Sequence, residues 1–221
     1  MKKYVVIVAS GSGKRMGGEI PKQFLKLKEK PILLHTLERV YSFSKEYIIL
    51  LVLNKEHLHF WEAVIQEYKV DIPHRIVFGG GERFFSVRNA LMSIDEKECL
   101  VAVHDGVRPL VSAEVFEKCF SLAEVRSNAV TCVGSVDSVR LMSVGGNNES
   151  VDRDRVKLIQ TPQCFKLSLL KKAYSQHYDK KFTDDASLVE NLGRKIYLCE
   201  GSRENIKITT PFDLKLAECL L

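Results

Sequence analysis

Residues 4–18 read YVVIVASGSGKRMGG, and PKQ follows at 21–23. The apolar run at 4–9 has the unbroken hydrophobicity of a parallel strand buried on both faces. It stops at a glycine-rich loop that carries Lys14 and Arg15, with Lys22 just beyond. Gly11 and Gly13 have no Cβ, so backbone N–H groups can close around an anion there, and the three cations supply charge that a neutral loop lacks. A buried strand ending in such a loop describes a phosphate site and points to nucleotide chemistry. Two better-known glycine loops do not fit. The dinucleotide fingerprint G-x-G-x-x-G needs glycine where Met16 stands, with Gly17 one residue late, and a Walker A loop needs glycine at Val8 and Ser or Thr at Arg15. The plain alternative is a tight strand-to-helix turn whose lysines face water.

With 221 residues and 45% hydrophobic content, the chain can bury one large α/β core, and no low-complexity linker divides it. We expect a single domain over residues 1–221. The 33 basic and 28 acidic residues leave a formal charge of +5, mild and spread out. Short pairs such as Lys171 with Lys172 and Lys180 with Lys181 suit solvated helix faces better than nucleic acid, so the balance fits small anionic substrates. The six cysteines form no C-x-x-C pair, and several sit in apolar runs as free thiols do, which suits a reducing cytoplasm. Lys2 and Lys3 precede an apolar run too short for a signal peptide, and no run reaches membrane-spanning length.

Downstream the pattern alternates. Leu33, Leu37, Val40 and Tyr41 make one helical stripe, and residues 47–53 form a continuous apolar strand, which completes a βαβ unit. A helix follows at 59–68, then a strand from 75 that ends in Gly79, Gly80 and Gly81, with another helix opening directly after them. LVAVHDGVRP at 100–109 is a buried strand whose carboxyl end carries His104, Asp105 and Arg108, and Phe116, Cys119, Phe120 and Ala123 mark the next helix. After a strand at 128–136, residues 137–163 alternate around a turn at 145–148, with VKLIQ (156–160) as the second arm. This predicts a β arm protruding at about 135–160. The chain closes with a helix after Phe182, a strand at 195–201, and a helix for which Thr210, Pro211 and Asp213 supply N-cap, first-turn proline and capping box. Strands alternating with helices predict a mostly parallel, doubly wound, Rossmann-like sheet. Its ligands belong beyond the carboxyl ends of the strands.

Taken in order, ASGSGKRM, PKQ, GGGERFFSV, HDGVRP, QTPQ, FTDDAS and NIKIT resemble the 2-C-methyl-D-erythritol 4-phosphate cytidylyltransferases of the non-mevalonate isoprenoid pathway. The likeness runs from Val5 to the last helix. It implies a nucleotidyltransferase fold and transfer of CMP from CTP to an alditol phosphate, methylerythritol 4-phosphate, with Mg²⁺ as cofactor and pyrophosphate as leaving group. The acceptor phosphate is already a nucleophile at neutral pH, so no activating base is needed. Charge is the difficulty, and fixed cations carry the catalysis.

The resemblance assigns roles residue by residue. Arg15 and Lys22 match the family's positions that stabilise the pentacoordinate transition state, with Lys14 a helper on the triphosphate. Arg153 and Lys207 match those that hold the acceptor phosphate, a bidentate fork beside a point charge. Asp105 matches the Mg²⁺ ligand; its plain alternative is a carboxylate that caps a loop or pairs with Arg108. Nucleotide contacts fall on Ala9, Ser10, Gly11, Ser12 and Gly13, on Gly80, Gly81 and Ser86, and on Gly106. Acceptor contacts fall on Arg108, Ser138, Thr161, Thr183 and Asp184, of which Thr183 also reads as a helix N-cap and Asp184 as the dipole-matched acid after it. The family's β arm embraces a second subunit, which implies a homodimer. Two positions depart from the family's usual pattern: Gly81 stands where many relatives have Asp, and HDGVRP replaces HDAARP. The nearest rival is the sister family of ribitol-5-phosphate cytidylyltransferases, from which FTDDAS separates this chain and toward which HDGVRP leans. From other classes, the broken fingerprint argues against an oxidoreductase, and the set Arg15, Lys22, Asp105, Arg153 and Lys207 argues against a nucleotide-binding regulator without activity.

Overall fold

A computed structural model describes residues 1–11 and 20–221. In chain order it contains β1 (Lys3–Ala9), a two-residue pair β2 (Lys26–Leu27) and β3 (Lys30–Pro31), α1 (Ile32–Phe43), β4 (Ile48–Leu53), α2 (Leu58–Tyr68), β5 (Arg75–Phe78) and α3 (Arg83–Met92). There follow β6 (Leu100–Asp105), α4 (Ala113–Arg126), β7 (Asn128–Gly134), β8 (Val139–Met142), β9 (Asn148–Val151) and β10 (Lys157–Lys166). The last elements are α5 (Leu167–Tyr174), α6 (Asp185–Glu190), β11 (Leu198–Glu200) and α7 (Pro211–Leu220).

β1 lies between β4 and β6, parallel to both, and its alternating side chains decide the layers. Val5, Ile7 and Ala9 join a core built with α1, α2 and α4, whereas Tyr4 and Val6 join a second core built with α3, α5 and α6. Helices therefore cover both faces of a seven-stranded sheet of order β11-β7-β10-β6-β1-β4-β5. This is the doubly wound α/β architecture that the alternating pattern predicts. One strand, β10, runs antiparallel to both β6 and β7. Among the described residues no helix is long and apolar enough to cross a membrane.

Two local expectations change. VKLIQ is not the second arm of the hairpin: Lys157, Leu158 and Ile159 pair with Gly134, Val133 and Cys132 as the start of β10. The hairpin's return strand is β9, paired with β8 from Val139↔Val151 to Met142↔Asn148 and turned by Gly145 and Gly146 at positive φ. Alternation with period two looks the same in a sheet strand and a hairpin arm, so pattern alone could not separate them. The strand expected at 195–201 shrinks to β11, because the Asn128 side chain takes the place of a backbone partner for Tyr197 N–H. The hairpin stands away from the sheet, with Leu141, Met142 and Val144 exposed.

Phe116 of α4 is fully buried and packs its ring against Phe43, Tyr47, Phe120 and His104. Phe116→Ala is expected to lower stability by about 3–5 kcal/mol. Urea denaturation checks this, and a loss below ~1 kcal/mol would contradict the packing described.

Candidate active site

Beyond the carboxyl ends of the central strands lies a cavity of about 370 Å³, walled by Ala9, Ser10 and Gly11 on one side and by Gly80, Gly81 and Ser86 on the other. A second cavity of about 270 Å³ abuts it, lined by Arg108, Thr161, Thr183 and Asp184. Arg83, Asp105 and Lys207 line both.

The first cavity is shaped by close backbone approach. Gln23, buried in PKQ, donates Nε2–H to Ala9 O (2.8 Å) and Gly11 O (3.2 Å) and so fixes the chain leaving β1. Opposite it, the fully buried Ser86 hydroxyl accepts from the Ser10 hydroxyl (2.9 Å) and from Gly80 N–H (3.1 Å). A Cβ at Gly79 would sit 2.6 Å from Ser86 Oγ and 2.7 Å from Ser10 Cβ, and one at Gly80 would sit 2.4 Å from Phe85 Cβ. Those two glycines let the loops meet. Gly81, by contrast, has no neighbour within 4 Å of an added Cβ among the described residues, so its backbone is not pressed against another loop there. Gly106, expected among the nucleotide contacts, lines neither cavity: its N–H donates to Val8 O (2.9 Å) and ties the turn after β6 to β1.

Asp105 sits at the end of β6 and is 6% exposed. Its Oδ2 accepts from Lys207 Nζ at 3.0 Å and from Arg108 Nε at 3.1 Å. Burial alone would raise its carboxyl pKa, but Lys207, Arg83 and Arg108 outweigh burial and hold the group well below the ordinary carboxylate range. Arg108 is itself buried and also donates Nη1–H to Asn205 O at 2.7 Å, so much of its hydrogen bonding serves the fold. Behind the carboxylate runs a chain of hydrogen bonds. Asp105 N–H donates to Thr161 Oγ1 (3.0 Å), the Thr161 hydroxyl lies 3.1 Å from His104 Nδ1, and His104 Nε2 lies 3.2 Å from Arg108 O. A backbone carbonyl can only accept, so Nε2 carries the proton and Nδ1 accepts from Thr161. The register of β10 on β7 shifts between Ile159 and Gln163, which is where Thr161 reaches across to β6.

A sequence profile of the IspD family, described as 2-C-methyl-D-erythritol 4-phosphate cytidylyltransferase, matches residues 3–221. The chain belongs to that family. Proteins of the same description from Bacteroides fragilis and Phocaeicola vulgatus are 48% and 47% identical over 221 residues, with both chains covered in full. The solved 4-diphosphocytidyl-2C-methyl-D-erythritol synthase of Anaerococcus prevotii matches with a TM-score of 0.85 at 28% identity, over 99% of this chain and 95% of that one. The Francisella tularensis 2-C-methyl-D-erythritol 4-phosphate cytidylyltransferase matches with a TM-score of 0.82 at 32% identity, covering both chains in full. The chain is therefore a nucleotidyltransferase of the cytidylyltransferase type.

Against the residues expected of a cytidylyltransferase, the structure brings together Ala9, Ser10, Gly11, Lys22, Gly80, Gly81, Ser86, Asp105 and Lys207 around one cavity. Lys22 donates Nζ–H to Ile208 O at 3.2 Å, which draws it toward the segment that carries Lys207. Ser12, Gly13, Lys14 and Arg15 lie outside the described residues. Thr183 lines the second cavity, and the N-cap of α6 falls one residue later than expected, on Asp184 and not Thr183: Asp184 Oδ1 accepts from Ser187 N–H and Oδ2 from Gln163 Nε2–H. Thr161 is buried, its hydroxyl committed to Asp105 and His104. Ser138 and Arg153 do not join either cavity. Both are exposed at the arm, where Arg153 donates to Val136 O at 3.1 Å. The sequence reading passed over Arg83 and Asp185, although both stand inside quoted segments, GGGERFFSV and FTDDAS. They form a bidentate ion pair 102 residues apart in sequence, a contact that no local pattern signals.

Burial, opposed by the Asp105 charge, lowers the His104 pKa to about 4 from an ordinary 6.5. The unfolded chain therefore takes up this proton near pH 6.5 and the folded chain only near pH 4. Stability from this group is complete above about pH 6.5, falls as pH drops, and has lost about 3 kcal/mol by pH 4. Denaturation of wild type and His104→Gln between pH 7 and pH 4 checks this. The wild type should lose more stability than the variant, and parallel curves would contradict a neutral, buried His104.

Proposed function

We propose that this site transfers CMP from CTP to the phosphate of 2-C-methyl-D-erythritol 4-phosphate, giving 4-diphosphocytidyl-2-C-methyl-D-erythritol and pyrophosphate on the way to isoprenoid precursors. The observation that carries the reading is the pair of abutting cavities that share Arg83, Asp105 and Lys207. A displacement at phosphorus needs two phosphate-bearing substrates to meet at one point, and this junction is where cations converge. CTP takes the larger cavity, with the base between Gly80, Gly81 and Ser86, and the triphosphate along residues 9–15. The acceptor takes the smaller one.

Both reactants are anions, and negative charge grows on the bridging oxygen as pyrophosphate leaves. Lys22, with Lys14 and Arg15, neutralises the triphosphate and the leaving group, and Lys207 binds the acceptor phosphate. Asp105 serves as Lys207's counter-ion. An incoming phosphate would compete for that ammonium. For Mg²⁺ the residues fit in one respect: Asp105 offers a deprotonated hard carboxylate at the cavity wall. Mg²⁺ in such sites keeps most of its coordination on phosphate and water, so one carboxylate is enough to seat it. When bound, Mg²⁺ would offset triphosphate charge beside the cations.

Ser138 and Arg153 flank an exposed hairpin and line neither cavity of their own chain. We place them in a neighbour's acceptor site within a homodimer. The exposed Leu141, Met142 and Val144 side chains give the hairpin an apolar surface for that contact. The six unpaired cysteines suit work in the cytoplasm.

Pyrophosphate release with CTP and Mg²⁺ tests the reaction, comparing methylerythritol 4-phosphate with ribitol 5-phosphate. Release should require methylerythritol phosphate, and Lys22→Ala should lower turnover at least ~10²-fold. Release with neither acceptor would contradict the assignment. Sedimentation velocity checks the dimer, and a fully active monomer would remove the role given to Arg153.

A further inference from the structure

Arg83 opens α3 directly after the three glycines, and its side chain, 29% exposed, forms part of the wall common to both cavities. Nη1 donates to Asp185 Oδ1 at 3.0 Å and Nη2 to Asp185 Oδ2 at 2.7 Å. This two-pronged geometry fixes the plane of the guanidinium as well as its position. The Asp185 side chain is fully buried and also accepts from the Tyr174 hydroxyl. Burial and the Asp185 charge push the Tyr174 phenol well above its ordinary pKa, so it remains a donor. Asp185 is in turn fixed at the first position of α6, between the Asp184 cap and Ala186, whose N–H donates to Gln163 Oε1 at 2.9 Å.

A buried carboxylate is a strange neighbour for a site that must collect anions. It lowers the positive charge at the junction, and burying an ion pair is weak evidence of added stability. Its value is therefore geometric. Asp185 engages two of the five N–H donors of Arg83, one on each terminal nitrogen, and the Arg83 charge still reaches Asp105. We propose that Arg83 contacts the reacting phosphates where the two cavities meet, and that Asp185 is the positioning residue that aims its guanidinium. The proposal rests on the reaction given above. Arg83 then differs from Arg108: Arg108 is buried and tied to Asp105 and Asn205, whereas Arg83 is held from behind and presented to the cavities.

Single-turnover rates with saturating CTP and methylerythritol 4-phosphate, alongside equilibrium CTP binding and thermal midpoints, separate this role from a purely structural one. Arg83→Gln should slow the single-turnover step ~10²-fold. Arg83→Lys, which keeps the charge and loses the fork, should recover only a small part of that rate. Asp185→Asn, nearly identical in shape, should slow the step by about tenfold or more with little change in CTP affinity. Variants with wild-type single-turnover rates and merely lowered thermal midpoints would overturn the proposal. If Asp185→Asn does not fold, the Arg83 pair decides, because Arg83 reaches the cavity rim and its lysine variant tests the fork alone. Wild type serves as the control: no pyrophosphate release from it would sink the reaction itself, whereas an active wild type with equally active variants would sink only the role of Arg83 and Asp185.

Discussion

The Asp105 carboxylate is the point on which the rest of the site depends. Lys207 and Arg108 both reach its Oδ2, and Arg83 adds its charge from the side. Cations crowded at one strand end repel one another, and a buried anion among them is what lets them stay together before any substrate arrives. The interaction also assembles distant sequence. β6 supplies Asp105, the turn after it supplies Arg108, the segment before α7 supplies Lys207, and α3 supplies Arg83.

That carboxylate is in turn held by neutral groups. Its backbone N–H is satisfied by Thr161, Thr161 is satisfied by His104, and His104 rests edge-on against Phe116 in the core. Core packing thus passes through one uncharged imidazole to the backbone of the charged residue. The antiparallel β10 makes this possible, because it lies next to β6 and its shifted register delivers Thr161 to the end of that strand. On the far side of the larger cavity, bare glycines and a buried serine hydroxyl replace side-chain bulk, leaving room for a base to lie against backbone. The proposed division of labour follows: uncharged backbone around the nucleobase, and cations gathered about Asp105 around the phosphates.

Much of this was legible in the residues. The run at 4–9, the stripe on α1 and the signals Thr210, Pro211 and Asp213 gave elements that the structure reproduces, down to the capping box of α7. Local physics writes such features into local sequence. Leu167, Leu170, Ala173 and Tyr174 bury one face of α5 and carried a helical spacing, yet a lysine pair next to them read only as a solvated face. What stayed hidden depends on contacts between remote segments. VKLIQ alternates whether it belongs to a hairpin or to the sheet, and only pairing with β7 decides. Asp184 and Asp185 are adjacent and chemically identical, but the first caps a helix and the second turns inward to Arg83. Arg153 matched a family position, yet within its own chain it lies away from both cavities, so its proposed use needs a second chain.

The most direct test of this site is a crystal structure of the protein with CTP and Mg²⁺. The cytosine should lie between Gly80, Gly81 and Ser86, the triphosphate along the loop after β1, and the α-phosphate at the junction of Arg83, Asp105 and Lys207. A nucleotide bound elsewhere, or a triphosphate pointing away from Asp105, would contradict it.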